Sequence, residues 1–501
     1  MMKILKNLYS FIKDLRYTTK IILLLGVIIL VPIVMVIPFP EDAKYIPAFL
    51  YTALIAVAVA LLQTLVRIIA QKSGRQSRTK SRQHDIIAVV AIWLFSFLLG
   101  SLPFIFGGQL DFLDALFESV SGWTTTGFTM VTTPETMPHI FLFYRGFMQF
   151  CGGIGFVLLM LLFASGHDAM KFFSAEGHPD MLKANLIGSA RTMMQLYAGF
   201  TLFGTLLYIL FGMNWFDAIN HSMSALGTGG FSTRTLSIGY YQSIPIEIIS
   251  MFLMLSGATN FSILAILLKG DFRKLFRIGE LRFVSVLMII AIVFIALLGF
   301  GAVYSSLGES FRVTIFTAIS AITTTGYSIS DVAVWTPPMH IILIMIMLIG
   351  GGTGSTAGGI KYSRAYILCR SFTENLRAKF KPERAVSTFN IYKPQGKLEI
   401  TQSEMLSIHH FTLIFMSSFF VGVLILTLGG MEIEEAMFEF ASGIGTTGLS
   451  LGLTNADSSV LTKCVQIVGM LLARLEVYVV YIFVAAGVNS LHKKISDFRD
   501  R

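Results

Sequence analysis

The sequence predicts an all-α membrane protein of four repeats, each a span, a half-helix, an irregular loop and a second span, preceded by two extra transmembrane helices. Three observations predict it. The chain is 54% hydrophobic and only 13% charged, with a mean hydropathy of +0.72, too apolar for a soluble multidomain protein. Charge-poor runs long enough to cross a bilayer recur along it, among them Ile21 to Ile37, Ile46 to Val66, Ile86 to Phe106, Val284 to Val303 and Ile408 to Leu428. Finally, one short Gly/Thr phrase occurs four times, between apolar runs.

The first two spans form an N-terminal membrane segment, residues 1–82. No cleaved signal peptide is expected, because the first apolar run has no small-residue cleavage site and leads straight to a second span. The net charge of +9 is not a nucleic-acid signal, since the basic residues sit on alternate loops. Lys3, Lys6, Lys13, Arg16 and Lys20 precede the first span and Lys72, Arg75, Arg78, Lys80 and Arg82 follow the second. The positive-inside rule puts both in the cytoplasm, with Lys269 to Arg282, Lys361 to Lys397 and His492 to Arg501, so both termini are expected inside. The other loops carry Asp111, Asp114, Asp217, Glu309, Glu432, Glu434 and Glu435 and face out. Cys151, Cys369 and Cys464 are too scattered for a disulfide framework or a metal site.

The repeats occupy residues 83–185, 186–280, 281–400 and 401–501. Their phrases, SGWTTTGF at Ser121, SALGTGGF at Ser224, SAITTTGY at Ser320 and SGIGTTGL at Ser442, align without gaps on Gly127, Gly230, Gly326 and Gly448. The apolar runs before them (DALFESV at Asp114, DAINHSM at Asp217, VTIFTAI at Val313, EAMFEFA at Glu435) are too short to span. About thirteen residues reach only some 20 Å against a roughly 30 Å hydrocarbon core. Each is read as a re-entrant half-helix, entering from the outer face with its C-terminal end at mid-membrane. Four such ends, each carrying about half a negative charge, favour a cation.

Irregular backbone at that depth is tolerated where it lines a watery cavity, and four-fold carbonyl rings replace the hydration shell of potassium. The candidate ion-binding filter is therefore Thr124, Thr125, Thr126 and Gly127; Gly227, Thr228, Gly229 and Gly230; Thr323, Thr324, Thr325 and Gly326; and Gly445, Thr446, Thr447 and Gly448. The other reading of such phrases is helix packing through small residues. Glu118 and Glu439, nine residues before their filter glycines, either hold the filter by hydrogen bonds or are solvated carboxylates at a pore mouth.

The chain resembles the Trk/Ktr/HKT superfamily of potassium transporters, and within it the TrkH branch. The likeness rests on the four phrases and on LPFIF at Leu102, HIFLFYRGFMQFCGGIGF at His139, GGFSTRTLSIGYYQS at Gly229, GGGTGSTAGGIK at Gly350 and LLARLEVYVV at Leu471. The two leading spans also look like TrkH. The resemblance implies a pseudo-fourfold pore within one chain, assembly as a homodimer in lipid, and the plasma (inner) membrane of a prokaryote. It also implies a cytoplasmic nucleotide-binding regulatory ring of the TrkA type. Family pattern ties potassium preference to glycine in all four filters; the departures from a uniform phrase at Gly227, Gly229 and Gly445 imply imperfect selectivity over sodium.

Between Ile341 and Leu368 the glycine-rich stretch would unravel a helix at mid-membrane, so it is read as a gate loop beneath the filter, with a kinked packing helix as the alternative. Gate candidates are Gly350, Gly351, Gly352, Thr353, Gly354, Ser355, Gly358, Gly359, Lys361 and Arg474. Lys361 can equally snorkel to the cytoplasmic surface. Arg474, inside the last span, is expected to face the pore or to pair with Glu476 or an ion site; the resemblance places it beside the gate.

Two enzyme-like motifs fail on context. GIGTTG at Gly443 follows no strand, and GSTAGGIK at Gly354 has Ile360 where a P-loop needs glycine, so no nucleotide site is expected in this chain and no enzyme activity. His409 and His410 point to different helix faces. Potassium uptake through a gated filter is the expected function, and a proton- or sodium-coupled carrier of the same fold the alternative. Arg370 to Glu404 reads as a basic connector.

Overall fold

The computed structural model describes residues 17–72, 82–155, 186–380, 389–394 and 396–499. The basic residues Lys3, Lys6, Lys13, Arg16, Arg75, Arg78 and Lys80, residues 156–185 of the first repeat, and Arg501 lie outside these. Among the described residues, six helices are long and apolar enough to cross a membrane, and two bent helix pairs raise the number to eight.

The N-terminal segment is α1 (Tyr17–Leu30), which continues as a 3-10 turn over Val31–Val36 where Pro32 enters, and α2 (Ile46–Lys72). Repeat one follows with α3 (Arg82–Phe106), the half-helix α4 (Phe112–Thr124) and α5 (His139–Ile154). Repeat two has α6 (Leu186–Leu210), the half-helix α7 (Trp215–Leu226), α8 (Ile244–Ala258) and α9 (Phe261–Leu268), then a short α10 (Phe272–Leu275). Repeat three has α11 (Gly279–Gly299), which begins two residues before the boundary expected at 281, the half-helix α12 (Leu307–Ile322), α13 (Pro337–Leu348) and α14 (Tyr362–Ala378). Repeat four has α15 (Gln402–Leu428), the half-helix α16 (Ile433–Gly445), α17 (Val460–Arg474) and α18 (Glu476–Arg499).

The half-helices begin on polar caps and carry acid in their first turns, Asp114, Asp217, Glu309, and Glu434 with Glu435, where the positive end of the helix dipole favours it. Asn214 accepts the amide of Asp217 at 2.9 Å and Ser306 that of Glu309 at 3.1 Å. Within every repeat the first helix packs on its half-helix: α3 on α4, α6 on α7, α11 on α12, α15 on α16. Between repeats the second helix packs on the next half-helix, α5 on α7, α8 on α12, α13 on α16, and α17 back on α4. The four repeats therefore close into a ring.

The interruption expected in the third repeat is present: α13 ends at Leu348 and α14 starts only at Tyr362. The same break, shorter, occurs in two places that hydropathy reads as continuous apolar helix. Helices α8 and α9 meet at 119° around Thr259 and Asn260, and α17 and α18 at 110° around Leu475. The stretch expected as a plain connector holds most of α14 and an antiparallel hairpin, β1 (Asn390–Lys393) with β2 (Gly396–Glu399). Ile391 and Ile400 pack against Ile367 of α14 and anchor it.

Candidate functional site

All four half-helices end alike. The amides of Thr125, Thr228, Thr324 and Thr446 bond the carbonyls of Gly122, Ala225, Ala321 and Gly443. Those of Thr126, Gly229, Thr325 and Thr447 reach back to the carbonyls of Ser121, Ser224, Ser320 and Ser442 at 2.8–2.9 Å. This is the Schellman pattern, which needs a left-handed residue at its corner. Here that residue is threonine each time, with φ of 59°, 51°, 53° and 53° at Thr125, Thr228, Thr324 and Thr446. A β-branched side chain resists that conformation, and such strain concentrates at functional positions.

The glycine two places on also has positive φ, 98° at Gly127, 78° at Gly230, 84° at Gly326 and 83° at Gly448. Alternating the hand of the backbone along so short a segment turns successive carbonyls to the same side. The glycines are required for a second reason. A Cβ on Gly127 would fall on the carbonyl oxygen of Gly229, on Gly230 on that of Thr325, on Gly326 on that of Thr447, and on Gly448 on that of Thr126. Each glycine is seated against the next strand, and the cycle closes. On the half-helix entry side the four glycines share a vestibule of about 390 Å³.

Glu118 and Glu439 are fully buried, so the solvated-carboxylate alternative does not hold. Glu118 accepts the amide of Met130 at 2.8 Å and the hydroxyl of Thr129 at 3.0 Å, and pairs with Arg145 at 2.6 Å. Arg145 reaches on to the carbonyl of Ser232 at 3.2 Å, tying the first loop to the second. Glu439 accepts from Ser450, Leu451 and Thr454. At the aligned position of repeat two stands His221, bonded to Ser232 at 2.9 Å. Farther out, Glu135 accepts the amide and the hydroxyl of Thr235, both at 2.7 Å. Burial alone would raise its carboxyl, but those bonds and nearby Arg234 hold it below the usual carboxylate range.

On the opposite side of the ring lies the glycine-rich segment, an irregular loop rather than a kinked helix. It is pinned at both ends: Gly350 donates to Ile360, Ile360 to Leu348, Gly352 to Ala258 at 2.7 Å, and Tyr362 to Gly351. The side chain of Asn260 donates to the carbonyl of Thr353, whose hydroxyl meets that of Ser363 at 2.6 Å. Ser355 donates its amide to Gly352, and Gly351, Gly354 and Gly359 have positive φ. The loop touches three of the four left-handed threonines. Gly358 donates to the hydroxyl of Thr324 at 3.2 Å, the hydroxyls of Thr356 and Thr228 meet at 3.1 Å, and a Cβ on Gly358 would fall on the hydroxyl of Thr446.

Thr356, absent from the sequence-based set, makes the most connections: its hydroxyl proton is also shared between the carbonyls of Leu226 at 3.1 Å and Gly257 at 2.9 Å. A glycine-dominated phrase gave no reason to single it out.

Arg474 corrects the sequence reading in two respects. It closes α17 at the bend instead of lying within a continuous span, and its guanidinium donates to the carbonyls of Gly152, Gly153 and Thr356. Glu476 pairs with Arg364 at 2.8 Å, not with Arg474. Lys361 does not snorkel; its ammonium turns back onto the carbonyl of Ala357. Lys361, Arg474, Ser355 and Gly358 border a hollow of about 30 Å³, far smaller than the vestibule across the ring. His409 and His410 are exposed, and among the described residues no group of His, Cys, Asp and Glu is placed to hold a metal ion.

Comparison with known proteins bears on this arrangement. Residues 55–491 match the model of the TrkH family, described as cation transport protein. The chain is 27% identical over 468 residues to an uncharacterized cation transporter of Methanocaldococcus jannaschii, covering 93% of each. It is 32% identical over 426 residues to the Trk system potassium uptake protein TrkG of Escherichia coli, covering 82% of this chain and 86% of that one. The crystal structure of the potassium transporter TrkH from Vibrio parahaemolyticus superposes with a TM-score of 0.78 at 28% identity, over 94% of this chain and 98% of that one.

Proposed function

The chain belongs to the TrkH family of cation transport proteins, and from that premise we propose that it takes up potassium through a filter formed by its four Gly/Thr loops. One observation carries the reading: the closed cycle in which Gly127, Gly230, Gly326 and Gly448 each sit against a carbonyl of the next strand, around one vestibule. A ring of backbone carbonyls replaces water around a large, weakly hydrated cation at little cost. The similar TrkG is named a potassium uptake protein and the similar TrkH a potassium transporter, which supports K⁺ as the transported and filter-bound ion.

The loop from Gly350 to Lys361 is the gate in this reading, and Arg474 its electrostatic partner. The acidic half-helix starts face outward, and the side carrying the hairpin and both termini is cytoplasmic. A homodimer in lipid, with a TrkA-type nucleotide-binding ring docked on that basic side, completes the assembly.

The test is cation flux into liposomes holding the purified full-length chain. K⁺ and Rb⁺ are expected to pass better than Na⁺ and Li⁺, with no imposed proton gradient. Equal flux of all four ions would overturn the filter, and flux that requires a proton or sodium gradient would make the protein a coupled carrier.

A further inference from the structure

Strands one and three of the ring brace themselves: the hydroxyls of Thr124 and Thr126 meet at 2.8 Å, and those of Thr323 and Thr325 at 2.9 Å. The second strand has glycine at both equivalent positions, Gly227 and Gly229, and has no such pair. We propose that Gln149, on α5 of the neighbouring repeat, is a positioning residue for ion selectivity that substitutes for that missing threonine brace.

Three hydrogen bonds support the assignment. The side-chain NH₂ of Gln149 donates to the carbonyl of Gly229 at 2.6 Å. Its oxygen accepts the amide of Phe231 at 3.1 Å and the hydroxyl of Ser224 at 2.7 Å. A backbone N–H on one side and a backbone carbonyl on the other leave the amide a single orientation. Gln149 is fully buried and grips the strand on both sides of Gly230. The carbonyl it holds, that of Gly229, is the one on which Gly127 is seated.

The glycines and the glutamine are spatially complementary. A Cβ on Gly229 would fall on the side-chain carboxamide of Gln149, and a Cβ on Gly227 would meet the backbone carbonyl of Gln149 at 2.9 Å. The strand thus lacks side chains where α5 approaches it, and Gln149 fills the space that a threonine at the second site would take. A buried donor on a filter carbonyl fixes its direction and draws on the electron density it can offer an ion. Losing a buried hydrogen bond of this kind changes an equilibrium by roughly three- to tenfold.

The proposal rests on the reading of the ring as a potassium filter, and the experiment separates the two. Reversal potentials give the K⁺/Na⁺ permeability ratio of the full-length parent, Q149M and Q149A in planar bilayers, with thermal unfolding in detergent run alongside. Q149M keeps the bulk but can neither donate to Gly229 nor accept from Phe231; its ratio is expected to fall roughly three- to tenfold. Q149A, which also empties the space, is expected to fall at least as far. A K⁺-preferring parent whose Q149M keeps the parental ratio would overturn the proposal alone, and Q149A decides the matter in the same way if Q149M does not fold. A parent that conducts neither ion overturns the functional reading and this proposal with it.

Discussion

Arg474 donates a hydrogen bond to the carbonyl of Thr356 at 3.2 Å, joining the end of the broken last helix to the centre of the glycine-rich loop. Through Thr356 the loop also holds Thr228 of the second strand, so the break, the loop and the ring form one connected unit.

Deleting part of Gly351 to Gly358 is expected to raise K⁺ flux in the absence of any regulator while leaving the K⁺/Na⁺ ratio close to the parent's, because the strands keep their sequence and the seating of their four glycines; a collapsed ratio would mean that the loop's contacts to Thr228, Thr324 and Thr446 support the filter instead. Thr356→Val, which removes the hydroxyl that links the loop to Thr228 and to the carbonyls of Leu226 and Gly257, a loss of roughly 1 kcal/mol for each hydrogen bond its one proton and its lone pairs actually make, should act in the same direction. Single-channel open probability of folded protein is the measurement; unchanged values in both variants would refute the gate.

Arg474→Ala should also raise flux, but less, since it removes one anchor of the loop and one positive charge and leaves the contacts to Thr228 and Thr324 in place. Arg474→Lys keeps the charge and loses the forked geometry. A lysine variant that conducts like the alanine one would assign the effect to hydrogen bonding, and one that conducts like the parent would assign it to charge.

Gly127→Ser places a side chain against the carbonyl of Gly229 at a φ of 98°. The strain, about 1–3 kcal/mol, is expected to push the second strand off its position and raise relative Na⁺ permeability. A reversal potential identical to the parent's would contradict the seating of the ring.

The Glu118–Arg145 pair is buried on both sides. Glu118→Ala should lower stability by about 3–5 kcal/mol by stranding the guanidinium, whereas changing both residues to methionine should recover much of that loss. Thermal unfolding of the three proteins in detergent distinguishes these outcomes, and a double variant as unstable as the single one would show that the pair is not the cause.

Glu135 supplies a pH dependence. Its carboxyl is held below the ordinary range when folded, so the link to Thr235 stabilises fully above that range and is lost as pH falls through the lowered value. The stability gap between parent and Glu135→Ala should be present at neutral pH and narrow in acid; a gap constant with pH would contradict it.

Much of this was legible in the sequence because apolar length and a repeated phrase both follow from local physics. The four half-helices came from runs too short to span, and the ring from the alignment of Gly127, Gly230, Gly326 and Gly448. What escaped depends on contacts between distant segments. Nothing local marks Gln149 as the brace of a strand 80 positions away, or Thr356 as the loop's main anchor. Pairing with Glu476 is one of three roles the sequence leaves open for Arg474; the chain bends by 110° between their helices, Glu476 pairs with Arg364, and Arg474 donates to backbone carbonyls, none of which is marked locally. The breaks after Ala258 and Arg474 carry no glycine run and no proline, so hydropathy reads through them.

The ring is completed by its two ends: Gly448 lies against Thr126, and Lys463 of the last repeat binds Asp114 of the first, 349 positions away. During synthesis, then, three strands emerge and wait with an open side until the final repeat is made. Contacts of such separation form late and slowly, so the carbonyl of Thr126 and the carboxylate of Asp114 gain these partners only at the end of assembly.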